Sequence, residues 1–116
     1  MSDNLQELRS IEEFEAALAE SVARPVLFFK HSLTCPISTR AFSELQSYLT
    51  NADPRISYKL ITVQNAREVS DEAASRLRLE HHSPQAILVR NGRELWSASH
   101  YEITASALEQ AIRTTD

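Results

Sequence analysis

The chain has 116 residues, 42% hydrophobic and 24% charged, the make-up of one soluble globular unit. Twelve basic against sixteen acidic residues leave a formal charge of -4, with no cationic surplus to attract nucleic acid or anionic lipid. One cysteine, Cys35, excludes an intrachain disulfide and any multi-cysteine zinc or iron–sulfur site, while one glycine, Gly92, excludes glycine-rich phosphate loops.

The first nine residues read as a polar lead-in. Ser10 followed by Glu13 is a capping box, and Ile11, Phe14, Leu18 and Val22 recur behind it at helical spacing. Arg24-Pro25 ends that helix, since a residue before proline is pushed out of the helical region. Val26-Leu27-Phe28-Phe29 is a short apolar run with the length and content of a strand buried on both faces. Beyond Thr34-Cys35-Pro36 the period changes, and Phe42, Leu45 and Leu49 make a helical stripe flanked by Ala41 and Tyr48, stopped by Asn51 and Pro54. A second strand is expected over Ser57–Val63 and a shorter helix from Glu68 to Leu79, carrying Val69, Ala73 and Leu77. After the loop Glu80-His81-His82-Ser83-Pro84, Gln85–Arg90 and Arg93–Ala98 flank Asn91-Gly92, the preferred pair for a type I′ hairpin turn. Thr104 is the expected N-cap of a last helix bearing Leu108 and Ile112.

Two strands joined through a helix must lie parallel in a right-handed unit, and the hairpin adds antiparallel strands. The order predicts an α/β fold: a mixed four-stranded sheet flanked by helices on both faces, the plan of thioredoxin-like domains. No linker or repeat divides the chain, so a single domain over residues 1–116 is expected. No run approaches the ~20 apolar residues of a membrane span, and MSDNLQELRS lacks a signal peptide's apolar core, so a cytoplasmic setting is expected.

Cys35 falls where a buried strand ends and a helix begins, with Pro36 suited to the first helical position. Free backbone N–H groups and the positive end of the helix dipole favour a thiolate there. Thr34, Ser38 and His31 stand close enough in sequence to assist, His31 as an imidazolium and Ser38 as a hydrogen-bond donor to the thiolate. Ser83-Pro84 directly precedes a hairpin strand, a position that holds a cis-proline in thioredoxin-like domains and leaves the preceding backbone free to pair with an extended substrate. An ordinary trans turn proline is the alternative there. An inert, core-packed cysteine is the competing reading. The polar threonine, the predicted helix start and the following proline argue against it.

Thr34-Cys35-Pro36-Ile37-Ser38 resembles the active motif of the monothiol bacilliredoxins (the YtxJ or BrxC family) of the thioredoxin superfamily. The resemblance continues through Lys30-His31-Ser32-Leu33, His81-His82-Ser83-Pro84-Gln85-Ala86, Trp96, Ser99-His100 and Ile103-Thr104, spanning roughly residues 10 to 112 in order. It implies a thioredoxin fold and activity on mixed disulfides between protein cysteines and the small thiol bacillithiol. Cys35 is then the nucleophile, Pro84 the cis-proline opposite it, and Thr34, Pro36, Ser38 and Ser83 the substrate-binding positions.

Ser38 stands where a dithiol enzyme carries its resolving cysteine. Cys35 would therefore become bacillithiolated itself and need a second thiol or a dithiol redoxin for regeneration. No cofactor is implied beyond bacillithiol as co-substrate, and the expected partners are S-thiolated client proteins. Three rivals compete: an adaptor or redox sensor modified at Cys35, a metal site joining Cys35 to His31, His81 and His82, and a hydrolase pairing Cys35 with His100. The latter two lack a supporting motif. Trp96, in the hairpin, is expected to pack on the core; His82 and Tyr101 receive no role.

Overall fold

The structure, a computed structural model, describes residues 4–115. Along the chain run β1 (Leu5–Glu7), α1 (Ile11–Glu20), β2 (Val26–His31), α2 (Pro36–Leu49), β3 (Ser57–Thr62), α3 (Arg67–Leu77), β4 (Gln85–Arg90), β5 (Arg93–Ser99), a 3-10 turn (His100–Glu102) and α4 (Ala105–Arg113). The strands form one sheet in the order β1-β3-β2-β4-β5, with β1, β3 and β2 parallel and β4 and β5 antiparallel.

The sheet has five strands where four are predicted. The additional strand, β1, lies within the segment read as polar lead-in and pairs in parallel with β3, Leu5 opposite Tyr58. Three residues, Leu-Gln-Glu, are too short to show alternation.

Alternation along the central strands sends side chains to two cores. On one face Leu27, Phe29, Leu60, Ala86 and Leu88 pack with Ala41, Leu45 and Leu49 of α2 and Leu108 and Ile112 of α4. On the other, Val26, Phe28, Ile61, Ile87 and Val89 pack with Phe14 and Leu18 of α1 and Val69, Ala73 and Leu77 of α3. Trp96 is half-buried against the first core, as the hairpin reading expects.

The helix ends follow their local chemistry. Ser10 Oγ accepts from the Glu13 N–H, and the Glu13 carboxylate accepts from the Arg9 N–H at 2.7 Å, one residue ahead of the usual capping-box partner. The first helix stops at Glu20, so Val22, counted in the predicted stripe, is 65% exposed. The stop is made by Ser21, whose fully buried side chain accepts from the Gly92 N–H and whose carbonyl accepts from the Asn91 N–H, both at 2.8 Å. Asn91 and Gly92 have φ of 56° and 73°, the left-handed pair that a type I′ turn requires. The helix α3 ends two residues before the predicted Leu79, at Arg78 in the left-handed conformation (φ 57°).

Thr104 caps α4 by accepting from the Ala107 N–H at 3.0 Å. Thr104→Ala is expected to cost about 1 kcal/mol, read as a lower urea midpoint with an unchanged slope.

Among the described residues no helix is long and apolar enough to cross a membrane.

Candidate active site

The strands β2 and β3 are parallel, so their carboxyl ends share one edge of the sheet, with His31 opposite Thr62. Loops at such edges are the usual ligand-facing part of α/β sheets. The chain leaves β2 at His31, turns through residues 32–34 and enters α2 at Pro36. Cys35 is the N-cap, in extended conformation, with Pro36 in the first turn. Its carbonyl accepts from the Thr39 N–H at 3.1 Å, while its side chain makes no capping bond. The free thiol is half-buried, at the positive end of a 14-residue helix.

The loop before the thiol is braced from two sides. From α2, the fully buried Ser38 Oγ accepts from the Ser32 N–H at 2.8 Å and meets His31 Nδ1 at 2.7 Å. From the end of β3, the Gln64 side-chain carbonyl accepts from the Leu33 N–H at 3.0 Å. The same amide donates to Ser32 Oγ at 2.9 Å and to Thr34 Oγ1 at 3.4 Å.

His31 differs from its expected role. It is 8% exposed and stacked on Phe42, ring centroids 4.7 Å apart, and burial holds its pKa below the ordinary histidine value. A neutral ring supplies no imidazolium charge near the thiol. Ser38 likewise spends its hydroxyl on Ser32 and His31. Its position deep in the first turn of α2 makes it a brace for the loop.

The Ser83–Pro84 peptide bond is cis. Lys30 lies opposite Gln85 in the antiparallel β2–β4 pair, so continuing the register outward brings Pro84 beside His31. The Ser83–Pro84 corner therefore sits against the strand end from which the Cys35 loop departs. The Pro84 carbonyl accepts from the His100 N–H at 3.2 Å. His100 holds φ 54°, fixed by a reciprocal capping box between Ser99 and Glu102, and its ring lies 5.4 Å from that of His82. Ser83 Oγ is buried without a hydrogen-bond partner. Thr34 and Pro36, the residues flanking the thiol, are exposed.

Of the histidines in the rival readings, His31 and His81 have ring nitrogens already in hydrogen-bond contact. Among the described residues no group of three or more His, Cys, Asp or Glu is placed to hold a metal ion. His31 Nδ1 meets Ser38 Oγ, His81 Nδ1 lies 3.1 Å from the Lys30 ammonium, and the rings of His82 and His100 pack edge to face.

The family model described as monothiol bacilliredoxin BrxC matches residues 6–108. The chain belongs to the monothiol bacilliredoxin family. Among solved structures it is similar to a chain described as "a putative oxidoreductase with a thioredoxin fold", at 34% identity and a TM-score of 0.82, covering 94% of each chain. Thioredoxins of Fasciola hepatica (14% identity, TM-score 0.74, covering 95% of this chain and 99% of that one) and Trypanosoma brucei brucei (15%, 0.75, covering 97% and 91%) share the fold. Family and fold together place the chain among thiol–disulfide oxidoreductases, and its one cysteine makes it monothiol.

Within this bacilliredoxin the sequence reading passed over Gln64, which braces the Cys35 loop. Gln64 lies 31 residues from Leu33 and belongs to no motif, so only the parallel β2–β3 pairing reveals it. Gln64→Ala removes the acceptor for the Leu33 N–H from an exposed site. It is expected to cost about 1 kcal/mol or less and to speed amide exchange at Leu33 about fivefold, read by NMR, with the fold intact.

Proposed function

We propose that this bacilliredoxin removes bacillithiol from mixed disulfides on protein cysteines, through a Cys35–bacillithiol intermediate. The Cys35 thiolate attacks the bacillithiol sulfur of the protein–S–S–bacillithiol bond. A new disulfide joins Cys35 to bacillithiol, and the client cysteine leaves as a thiolate that takes up a proton. A second bacillithiol thiolate, or a dithiol redoxin, then attacks the adduct and restores Cys35.

The observation that carries this reading is the lone free thiol at the N-cap of α2, with Ser38 buried where a resolving sulfur would stand. Without a second cysteine the chain can accept a small thiol but cannot expel it internally. The β2–β4 register sets the Ser83–Pro84 backbone beside the end of β2, which supports a docking role for that backbone. Thr34 and Pro36 supply exposed surface on either side of the thiol in sequence. Clients are S-thiolated proteins of the cytoplasm.

The test incubates reduced protein with one client carrying either bacillithiol or glutathione and follows intact mass. The expected result is a bacillithiol adduct on this chain, release of reduced client, and multiple turnovers when free bacillithiol is added. A stoichiometric adduct with no turnover would overturn the reading in favour of a sensor. Equal or faster turnover of the glutathionylated client would overturn the choice of thiol.

A further inference from the structure

Position 30 lies on the face of β2 that also carries Val26 and Phe28, a face packed against α1 and α3. An apolar residue would satisfy that site. Lys30 occupies it instead, with no exposed surface. Taking an ammonium out of water is costly unless its hydrogens find acceptors. Lys30 Nζ donates to the Ser70 carbonyl of α3 at 2.9 Å and contacts His81 Nδ1 at 3.1 Å, with Ser70 Oγ 3.3 Å from the same ring nitrogen. An ammonium has no acceptor, so Nδ1 must bear the lone pair and the His81 ring is neutral with its proton on Nε2. Burial, and then the Lys30 charge, hold the His81 pKa below its ordinary value, which keeps that acceptor available.

The same stretch is gripped by a second buried polar side chain. Gln85, 4% exposed, lies directly across the β2–β4 pair from Lys30. Its amide nitrogen donates to the Glu80 carbonyl at 3.1 Å, and its oxygen accepts from the His82 N–H at 3.5 Å. Two neighbouring strands thus each send one buried polar side chain into residues 80–82. Immediately beyond lies the cis Ser83–Pro84 corner.

We propose that Lys30 is a positioning residue: its ammonium fastens the His81–Pro84 segment to α3 and so holds the Ser83–Pro84 backbone beside the Cys35 loop. Lys30 touches neither thiol nor client. It acts through His81, and its backbone belongs to the strand that delivers Cys35, so one residue couples both walls of the site. The charged and titratable groups around this anchor are Asp71 on α3, which favours the ammonium, and Arg67 and His82, which face His81. The consequence for turnover rests on the transfer reading above; the anchor itself does not.

Three variants test it: His81→Leu, which removes the acceptor from an exposed residue; His81→Gln, which keeps a side-chain acceptor; and Lys30→Met, of similar length without the donor. Hydrogen exchange at neutral pH is followed in a peptide covering residues 79–84. Exchange there is expected to quicken about tenfold in His81→Leu and Lys30→Met and to stay near wild type in His81→Gln. The rate of Cys35 alkylation by iodoacetamide should stay within about twofold throughout. With a bacillithiolated client, KM should rise about threefold or more in the first two variants at nearly constant kcat, and His81→Gln should recover it.

Unchanged exchange in a folded His81→Leu protein would overturn the anchor. Faster exchange with an unmoved KM would overturn its part in presenting Pro84. If the wild-type protein turns over neither bacillithiolated nor glutathionylated client, the transfer reading fails, while exchange still decides the anchor.

Discussion

Cys35→Ser is expected to abolish small-thiol transfer, lowering the rate by at least ~10³-fold and leaving no adduct in the intact mass spectrum. The chain holds no other sulfur nucleophile, because the remaining sulfur belongs to Met1, so nothing can substitute for the lost thiolate. The change should be nearly silent for folding. Cys35 is half-buried, makes no side-chain capping bond, and serine is itself a favoured N-cap residue. Stability should therefore hold or rise slightly as transfer disappears, a dissociation that a structural cysteine would not show.

Ser38→Ala should behave in the opposite way. Its hydroxyl is fully buried and holds both the Ser32 N–H and His31 Nδ1, so its loss leaves two polar groups short of a partner. The expected cost is about 1–3 kcal/mol, with a Cys35 adduct still forming. If Ser38→Ala instead removed the adduct at full stability, Ser38 would be acting on the sulfur directly and its bracing role would be wrong.

The parts legible in the sequence were those with a short-range signature. The Thr-Cys-Pro sequence after an apolar run specifies a strand end, an N-cap and a helix start, and Asn91-Gly92 specifies a hairpin whose φ angles are both positive. The strand β1 escaped because three residues carry no period, and Val22 was assigned to a helix already ended by the Ser21 contacts to the hairpin turn, 70 residues downstream. The N-cap position of Cys35 and the cis Ser83–Pro84 bond were both anticipated, because each sits in a local motif. His31 and Ser38 were singled out for their nearness to the cysteine, but their contact with each other, a β2 ring against an α2 hydroxyl, is tertiary and has no signature in spacing. Lys30 was quoted only as part of a lead-in. Its meaning depends on partners 40 and 51 residues away, a relation no spacing rule encodes.

That buried lysine gives stability an unusual dependence on pH. Burial pushes the Lys30 pKa down to about 8 from 10.5, with Asp71 pulling it part of the way back. Between those two values the unfolded chain binds a proton that the folded chain does not, so unfolding free energy rises with pH through that window. Below about 8 both states are protonated and the full penalty for the buried charge is in place. The Lys30 contribution to stability should rise by about 2 kcal/mol from about pH 7.5 to about pH 9.5. Tyr58 works against it at the alkaline end. Burial and the Tyr48 hydroxyl, 2.7 Å away, raise its pKa, so the folded chain keeps a phenol proton that the unfolded chain gives up above about pH 10. A maximum is therefore expected at about pH 10, where the two slopes cancel, well above the pH 5–8 common for globular proteins. On the acid side, the lowered pKa values of His31 and His81 make stability fall as pH drops below about 6.5, where the unfolded histidines take up protons first. Urea unfolding midpoints across this range measure the curve, and Lys30→Met identifies the alkaline limb. The variant should lose the rise between about pH 7.5 and 9.5 while keeping the fall below 6.5. A wild-type curve flat across the alkaline window would mean that Lys30 keeps an ordinary lysine's affinity for its proton despite its burial.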